Sequence, residues 1–200
     1  MNLSEATMAP VLARPPPYER IMAVARELFC RDGIHATGID RILSEAGASK
    51  MTLYARFGSK EALVRAVLTQ EGEERRQAFF GAVTDAAPDA AGRLRAVVPA
   101  LRLWLEGEHF YGCAFMNAAA EHAKGATAEP WLRALTAEHH GAILAFLGGL
   151  AAEAGFAQPE IVAKQVLLVM DGAIAAMMVG GDTGVLDIAD RTLDAVLTRT

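Results

Sequence analysis

The sequence predicts an all-α protein. Its apolar residues recur three and four positions apart over long stretches, β-branched residues seldom cluster, and the stretches are interrupted only at Gly or Pro. We therefore expect helices throughout and no strand. With 200 residues, 52% of them hydrophobic, the chain is long enough to bury the core of one or two domains.

The first two helices are predicted from apolar spacing and capping residues. Residues 18–31 present one apolar face, formed by Ile21, Val24, Ala25, Leu28 and Phe29. A second helix is predicted to begin at Thr37, whose hydroxyl would cap the amides near Asp40, while Asp40 reaches back as in a capping box. Gly47 is expected to end this helix in the left-handed conformation.

A third helix is predicted from Lys50, with Ser49 as its cap. Its inward positions are Leu53 and Phe57, and its outward positions are Lys50, Thr52, Tyr54 and Arg56. A fourth helix, capped by Ser59 and buried through Leu63, Val67 and Leu68, is expected to continue to about Phe80. Two short helices joined by a tight glycine turn are typical of a helix-turn-helix, whose second helix can read DNA.

The rest of the chain is predicted to form a helical body. We expect helices at 90–106 (kinked or broken near Pro99), 114–124, 130–154, 159–179 and 185–198. Pro130 and Pro159 suit first-turn positions. The helices at about 159–179 and 130–154 carry more apolar and small residues than one core face needs, which predicts a second buried surface and a homodimer packed through these helices.

Charge is divided unevenly along the chain. Residues 1–70 hold 9 Lys and Arg against 7 Asp and Glu, a net charge of +2, whereas residues 71–200 hold 10 against 17, a net charge of −7. A small basic unit on an acidic body is compatible with a nucleic-acid partner despite the overall charge of −5.

The sequence also predicts the compartment. Pro10 and Pro15–Pro17 occupy the region where a secretory signal needs an apolar helix, so we expect residues 1–17 to form a flexible arm and the protein to remain cytoplasmic. The longest apolar run, 165–181, is interrupted by Asp171, and no membrane helix is predicted. Cys30 and Cys113 are expected to be reduced core residues.

Catalytic and metal-binding patterns are weak. His109, Cys113, Glu121, His122, His139 and His140 do not follow the spacing of a zinc site. The sequence has no nucleophile elbow or glycine-rich phosphate loop, and Cys113 has no defined base. We predict neither a metal, nor a cofactor, nor an enzyme.

One motif covers about a quarter of the chain, from Tyr18 to Leu68. It comprises Ala25, Leu28 and Phe29, then Gly33, Thr37, Ile39, Ile42, Ala46 and Gly47, the Leu53-Tyr54-x-x-Phe57 box, and Ser59-Lys60-Glu61-x-Leu63. In these residues the chain resembles the tetracycline-repressor (TetR/AcrR-like) family of transcriptional regulators. The segment Gly112-Cys113-Ala114-Phe115, followed by Asn117 to Glu121, is similar to one AcrR-like subgroup. Met51 departs from the motif, since many members have Gly there.

The resemblance implies an N-terminal helix-turn-helix DNA-binding domain, placed here at 18–62, and a C-terminal helical domain at 63–200 that binds an effector and dimerises. It implies a homodimer on a palindromic double-stranded DNA operator, released by a small-molecule effector. The expected DNA-binding residues are Thr37, Ser49, Lys50, Met51, Thr52, Tyr54 and Lys60. Lys50 and Thr52 would lie near bases or phosphates, Tyr54 and Lys60 would contact phosphates, and Thr37 would contact a phosphate at the second helix.

The effector pocket is predicted from polar groups among apolar residues of the body. The candidates are Trp104, Phe110, Phe115, Asn117, Trp131, His139, Met170 and Asp171, with Tyr111, Phe146 and Met177 as further aromatic or soft residues. Each of them is also compatible with an ordinary core position, which is the more common role of aromatic and Met residues at helical spacing. At the level of function, the alternative to a regulator is a helical protein-interaction or ligand-carrying module that keeps a helix-turn-helix for structural reasons.

Overall fold

A computed structural model of the protein describes residues 14–122 and 129–199. Within these ranges all regular structure is helical, which confirms the predicted all-α class. The ten helices described are α1 (Pro17–Asp32), α2 (Ile39–Ala46), α3 (Lys50–Phe57), α4 (Lys60–Asp85), α5 (Ala90–Arg95), α6 (Val97–Leu105), α7 (Ala114–Glu121), α8 (Pro130–Glu153), α9 (Pro159–Gly180) and α10 (Gly184–Arg199). Most of the predicted N-terminal arm lies outside the described residues, and its last residue, Pro17, is already the first residue of α1.

Helices α1 to α4 pack around fully buried aliphatic side chains. Ile21, Ile42, Leu53 and Leu63 contribute one such side chain from each helix. Helix α1 contacts the other three helices, and α4 then extends into the body of the protein. The short α2 and α3 are therefore held by tertiary packing, because eight-residue helices are not stable alone.

The predicted start of α2 is wrong. The helix begins at Ile39 after Gly38, which provides no side-chain cap. Thr37 is completely buried, and its hydroxyl donates to the carbonyl oxygen of Gly33 at 2.7 Å. The carbonyl oxygen of Leu28 lies 3.3 Å from the same hydroxyl. A buried hydroxyl needs a partner, and the unpaired carbonyls at the end of α1 provide one. The predicted capping box with Asp40 is also absent, since α2 has no side-chain cap.

The other predicted helix ends near the turn are confirmed. Gly47 is left-handed, with φ 57° and ψ 48°, and its N–H bonds back to the end of α2. The Ser49 hydroxyl accepts from the Thr52 N–H at 3.1 Å, and the Ser59 hydroxyl accepts from the Ala62 N–H at 3.0 Å. Both serines therefore act as N-caps, as predicted.

Two predicted boundaries differ from the structure. Helix α4 continues to Asp85, five residues beyond the expected end at Phe80. The break in the 90–106 segment falls at Ala96, between α5 and α6, and not at Pro99. Pro99 is the third residue of α6, where a missing N–H costs no intrahelical bond, so proline is tolerated there.

The later helices match their predicted ranges more closely. Helices α8, α9 and α10 agree with the prediction to within one residue at each end, and Pro130 and Pro159 are first helical residues, as expected. Helix α7 ends at Glu121, and the predicted extension toward Lys124 runs into residues 123–128, which lie outside the described ranges.

Helix α9 is the one helix in the described chain long and apolar enough to cross a membrane by length and composition. The sequence predicts no membrane helix here, because Asp171 interrupts the apolar run. The helix packs against both α8 and α10 and buries Val162, Val166, Met170 and Ile174, and a core helix passes the same test. Cys30 and Cys113 are both free thiols, as predicted, but only Cys113 is a buried core residue, while Cys30 is half-buried.

Candidate functional site

Helix α3 is presented on the surface by a buried anchor and a glycine turn. Leu53 is fully buried, while Met51 and Tyr54 point outward, with 80% of Met51 exposed. The predicted orientation of α3 is therefore confirmed for Leu53 and Tyr54. A protruding helix with one buried face can enter the major groove of DNA.

Two polar side chains of α3, those of Lys50 and Thr52, already have partners within the protein. The Lys50 ammonium lies 2.8 Å from the Asp40 carboxylate of α2, and this hydrogen bond raises the pKa of Lys50. The Thr52 hydroxyl lies 3.0 Å from that of Ser49. The Ser49 side chain is the N-cap of α3 and is already bonded to the backbone of that helix. Lys50 remains exposed, and its contact with DNA stays a prediction.

Two residues that were predicted to contact DNA phosphates, Thr37 and Lys60, lie outside α3. The buried Thr37 hydroxyl is used inside the protein, so its side chain cannot reach a phosphate in this arrangement. The Lys60 ammonium donates to the Ile34 carbonyl at 2.7 Å and is partly buried. Lys60 therefore ties the start of α4 to the α1–α2 connection, and its phosphate contact stays a prediction.

Arg20 of α1 holds the turn between α2 and α3, a role that the sequence did not reveal. Its Nε donates to the Ala46 carbonyl at 2.8 Å and its Nη2 donates to the Gly47 carbonyl at 2.7 Å. The planar guanidinium bonds two adjacent carbonyls at once, which fixes the entry of α3. No local pattern predicts a contact over 26 residues.

A cavity of about 310 Å³ lies between α4, α6, α7, α8 and α9. Its wall contains five of the eight predicted pocket residues, namely Trp104, Phe115, His139, Met170 and Asp171. Its volume lies at the lower end of the range for small-molecule sites. The sequence thus located much of this wall, while ligand binding there remains a prediction.

The other three predicted residues do not line this cavity. Phe110 packs edge-on against Trp104, with ring centroids 5.3 Å apart. The Asn117 amide donates to the Tyr111 carbonyl at 2.9 Å. The Trp131 indole donates to the Glu129 carboxylate, and the Arg65 guanidinium lies 5.1 Å above its ring. The contacts of these three side chains therefore lie outside the cavity wall.

Helix α4 contributes a charged side of the cavity that was not predicted. Glu71, Arg75 and Arg76 all line it. The Arg75 Nε lies 2.6 Å from the Glu71 carboxylate, which also pairs with Arg26 of α1. The spacing of Glu71 and Arg75 by four residues was a visible signal, but such pairs are usual on solvent-exposed helix faces as well.

His139 is a neutral member of the wall. Burial, and secondly the Arg76 charge, lower its pKa to about 4. Its Nδ1 lies 3.1 Å from the Arg76 guanidinium, which can only donate, so Nδ1 is the acceptor. The imidazole stacks on the Phe115 ring, with 4.1 Å between the ring centroids. Gly72 leaves room for the Phe115 ring, because a Cβ at position 72 would lie 2.8 Å from Phe115 Cζ.

Helix α7 joins the cavity to the helix-turn-helix. Phe115, in its first turn, lines the cavity, and Glu121, its last residue, contacts the connection between α1 and α2. The Glu121 carboxylate accepts from the Ile34 N–H at 3.0 Å and from the His35 N–H at 2.8 Å. One short helix therefore touches both candidate sites.

This combination of an exposed helix-turn-helix and a helical body enclosing a cavity is that of a DNA-binding regulator. The family model described as "Bacterial regulatory proteins, tetR family" matches residues 21–67. A TetR-family transcriptional regulator from Streptomyces coelicolor has a similar structure with a TM-score of 0.81 and 32% identity, over 91% of this chain and 94% of that one. The chain belongs to the tetR family and has its DNA-binding helix-turn-helix.

Two curated relatives match over shorter lengths. The HTH-type transcriptional regulator UidR of Escherichia coli is 40% identical over 58 residues, which are 29% of this chain and 30% of UidR. The HTH-type transcriptional activator FasR of Mycolicibacterium smegmatis is 36% identical over 87 residues, which are 44% of this chain and 39% of FasR. The chain thus matches well under half of the length of these relatives.

Proposed function

We propose that the protein is a ligand-responsive repressor that binds a palindromic operator as a homodimer in the cytoplasm. A small-molecule effector in the cavity releases it from DNA. The observation that carries the proposal is α7, which contacts the cavity through Phe115 and the helix-turn-helix through Glu121. A ligand can shift DNA affinity only if it favours one arrangement of these parts over another.

An exposed apolar line along α9 supports the homodimer. Ile161, Leu168 and Ala175 recur at seven-residue intervals on its outer face, followed by Val179. Leu168 and Val179 are 73% and 91% exposed. This spacing is that of a helix-packing seam, and isolated monomers seldom expose such a line.

Small exposed residues on α8, which packs against α9, also support the homodimer. Gly141, Ala145 and Gly149 are exposed at four-residue intervals, and a Cβ at either glycine would meet no atom within 4 Å. A partner helix could therefore approach closely. A dimer is required because half-sites on one face of DNA lie roughly 34–36 Å apart and two helix-turn-helix units must be held at that separation.

Binding of the purified protein to its own upstream promoter tests the proposal. Fluorescence anisotropy at moderate and varied salt should give tighter binding to the promoter than to a scrambled duplex, by on the order of 1000-fold, and a steep salt dependence. Equal affinity for both duplexes would refute the operator function. A reporter gene placed behind the promoter separates repression from activation by the sign of the change.

A further inference from the structure

Asp171 is an acidic side chain in the cavity wall without a bonded cation. It lies on the face of α9 that lines the cavity, between the apolar Leu167, Met170 and Ile174. Among the residues described, its carboxylate accepts no hydrogen bond, and its nearest basic neighbour is His140 Nε2 at 3.9 Å. At that separation the two groups are too far apart to form a hydrogen bond.

The remaining charges around the cavity neutralise each other. Arg75 pairs with Glu71, Arg76 pairs with Glu73 at 2.7 Å, and Arg26 pairs with Glu71 and also with Glu74 at 2.7 Å. These three cations and three anions balance. Arg76 also donates to His139. An anionic ligand would have to displace a carboxylate from one of these arginines, whereas a cation would find Asp171 free.

The partly buried position of Asp171 makes its negative charge unfavourable without a nearby cation. Its side chain is 30% exposed, and burial raises its pKa. A carboxylate in such a position is stabilised when an opposite charge enters beside it. The same cavity offers the aromatic rings of Phe79, Trp104 and Phe115, and the Arg75 guanidinium already lies 5.2 Å above the Trp104 ring.

We propose that the cavity binds a small organic cation, an apolar or aromatic body carrying an ammonium group, with Asp171 as its counter-ion. The inference rests on the proposed function in taking this cavity as the effector site, and it assigns the chemical class of the effector. The apolar side chains of α6 and α9 would surround the body of the ligand. The balanced arginine pairs on α4 would exclude carboxylates.

Three matched probes test this class in the absence of DNA. They are benzyltrimethylammonium, its neutral carbon isostere neopentylbenzene, and the anion phenylacetate. Trp104 lines the cavity and Trp131 does not, so the Trp131→Phe variant leaves one tryptophan as a reporter of binding. Ligand-dependent shifts of Tm provide a second readout that does not depend on fluorescence.

We expect the cation to bind roughly tenfold more tightly than the neutral isostere, and phenylacetate to bind most weakly. In the Asp171→Asn variant, which keeps the shape of the side chain, this preference should fall to within about twofold. The matched control is Asp194→Asn, an exposed α10 residue outside the cavity wall, which should keep the full preference. Circular dichroism verifies that both variants are folded.

Several results would overturn the inference. These are equal affinities for cation and isostere, tighter binding of phenylacetate, a preference that survives Asp171→Asn, or no binding of any probe. Because DNA is absent, these outcomes are independent of the promoter experiment. If the protein shows no preference for its promoter but still binds the cation, only the regulatory proposal is refuted.

Discussion

Met51 lies on the outer face of α3 and packs little against the rest of the protein. It is 80% exposed, and it replaces the glycine common at this position of the resembling family. An exposed apolar side chain on such a helix can contact a thymine methyl group in the major groove. Base preference at that position would then depend on a side chain that contributes little to folding.

Replacement of Met51 by Ala should change sequence preference. It should alter the free energy of unfolding by no more than about 0.5 kcal/mol, because the side chain makes few contacts in the folded protein. Competition binding with single-base operator variants is expected to show a loss of discrimination of about 1 kcal/mol at one base pair of each half-site. Tyr54→Phe is the matched variant, since loss of a phosphate contact should weaken binding to all duplexes alike. Unchanged base preference in the Met51 variant would contradict this role.

His139 makes stability depend on pH. Its pKa is lowered to about 4 by burial and by Arg76, so in the folded protein it stays neutral at pH values where the unfolded chain takes up a proton. The unfolded state therefore binds more protons between the ordinary histidine pKa and pH 4. The stabilisation is complete above that ordinary pKa and is lost as pH falls, by about 2 kcal/mol from pH 7 to about pH 4.5.

The variant His139→Gln should remove this dependence. Urea unfolding across the same pH range is expected to give a flatter profile for the variant than for the native protein. His109→Gln, at an exposed position, serves as the control and should retain the native slope. If both variants kept that slope, another group would be responsible for the acid sensitivity.

At the scale of elements, α7 is a short helix that contacts both the cavity and the helix-turn-helix. Its eight residues place Phe115 against the cavity and Glu121 against the backbone that precedes α2. The carboxylate satisfies two N–H groups, and one of these bonds is partly buried. A buried donor left without a partner costs about 1–3 kcal/mol.

Glu121→Ala should therefore lower the free energy of unfolding by about 1–3 kcal/mol, as measured by urea denaturation. Glu45→Ala is the comparison, because it removes only an exposed pair with Arg41 and should cost no more than about 0.5 kcal/mol. If an effector is found, the Glu121 variant should also show a smaller effect of that effector on DNA affinity. Equal stabilities of the two variants would show that the Glu121 contact is dispensable.

For the whole molecule, the proposed homodimer depends on the outer face of α9. Leu168→Glu should give a folded monomer, because the side chain is 73% exposed within one chain and supports no internal packing. Operator affinity is expected to fall roughly 100-fold with the loss of the second attachment. Sedimentation and anisotropy measure these two effects.

Ile188→Glu provides the control for that substitution. Ile188 is also an exposed apolar residue, but it lies on α10, outside the proposed seam. This variant should remain dimeric and keep its operator affinity. A Leu168 variant that is still dimeric would place the dimer contact on another surface.

Local sequence determined the helical class, most helix ends and the inward faces of α1, α3 and α4. Ser49, Gly47 and Ser59 act within a few residues of themselves, so their capping and turn roles can be predicted from neighbouring positions alone. Leu53 and Leu63 were assigned to the core by helical spacing, and both are fully buried.

Only the tertiary structure decided which polar groups face each other. Thr37 resembled a surface cap but is buried against carbonyls at the end of α1, and Arg20 bonds a turn 26 residues away. The sequence singled out Asp171 as a charge within an apolar stretch, but only packing showed that it faces a cavity whose arginines are already paired. Caps and helix faces depend on neighbours in the chain, whereas the partners of a charge depend on how distant helices come together.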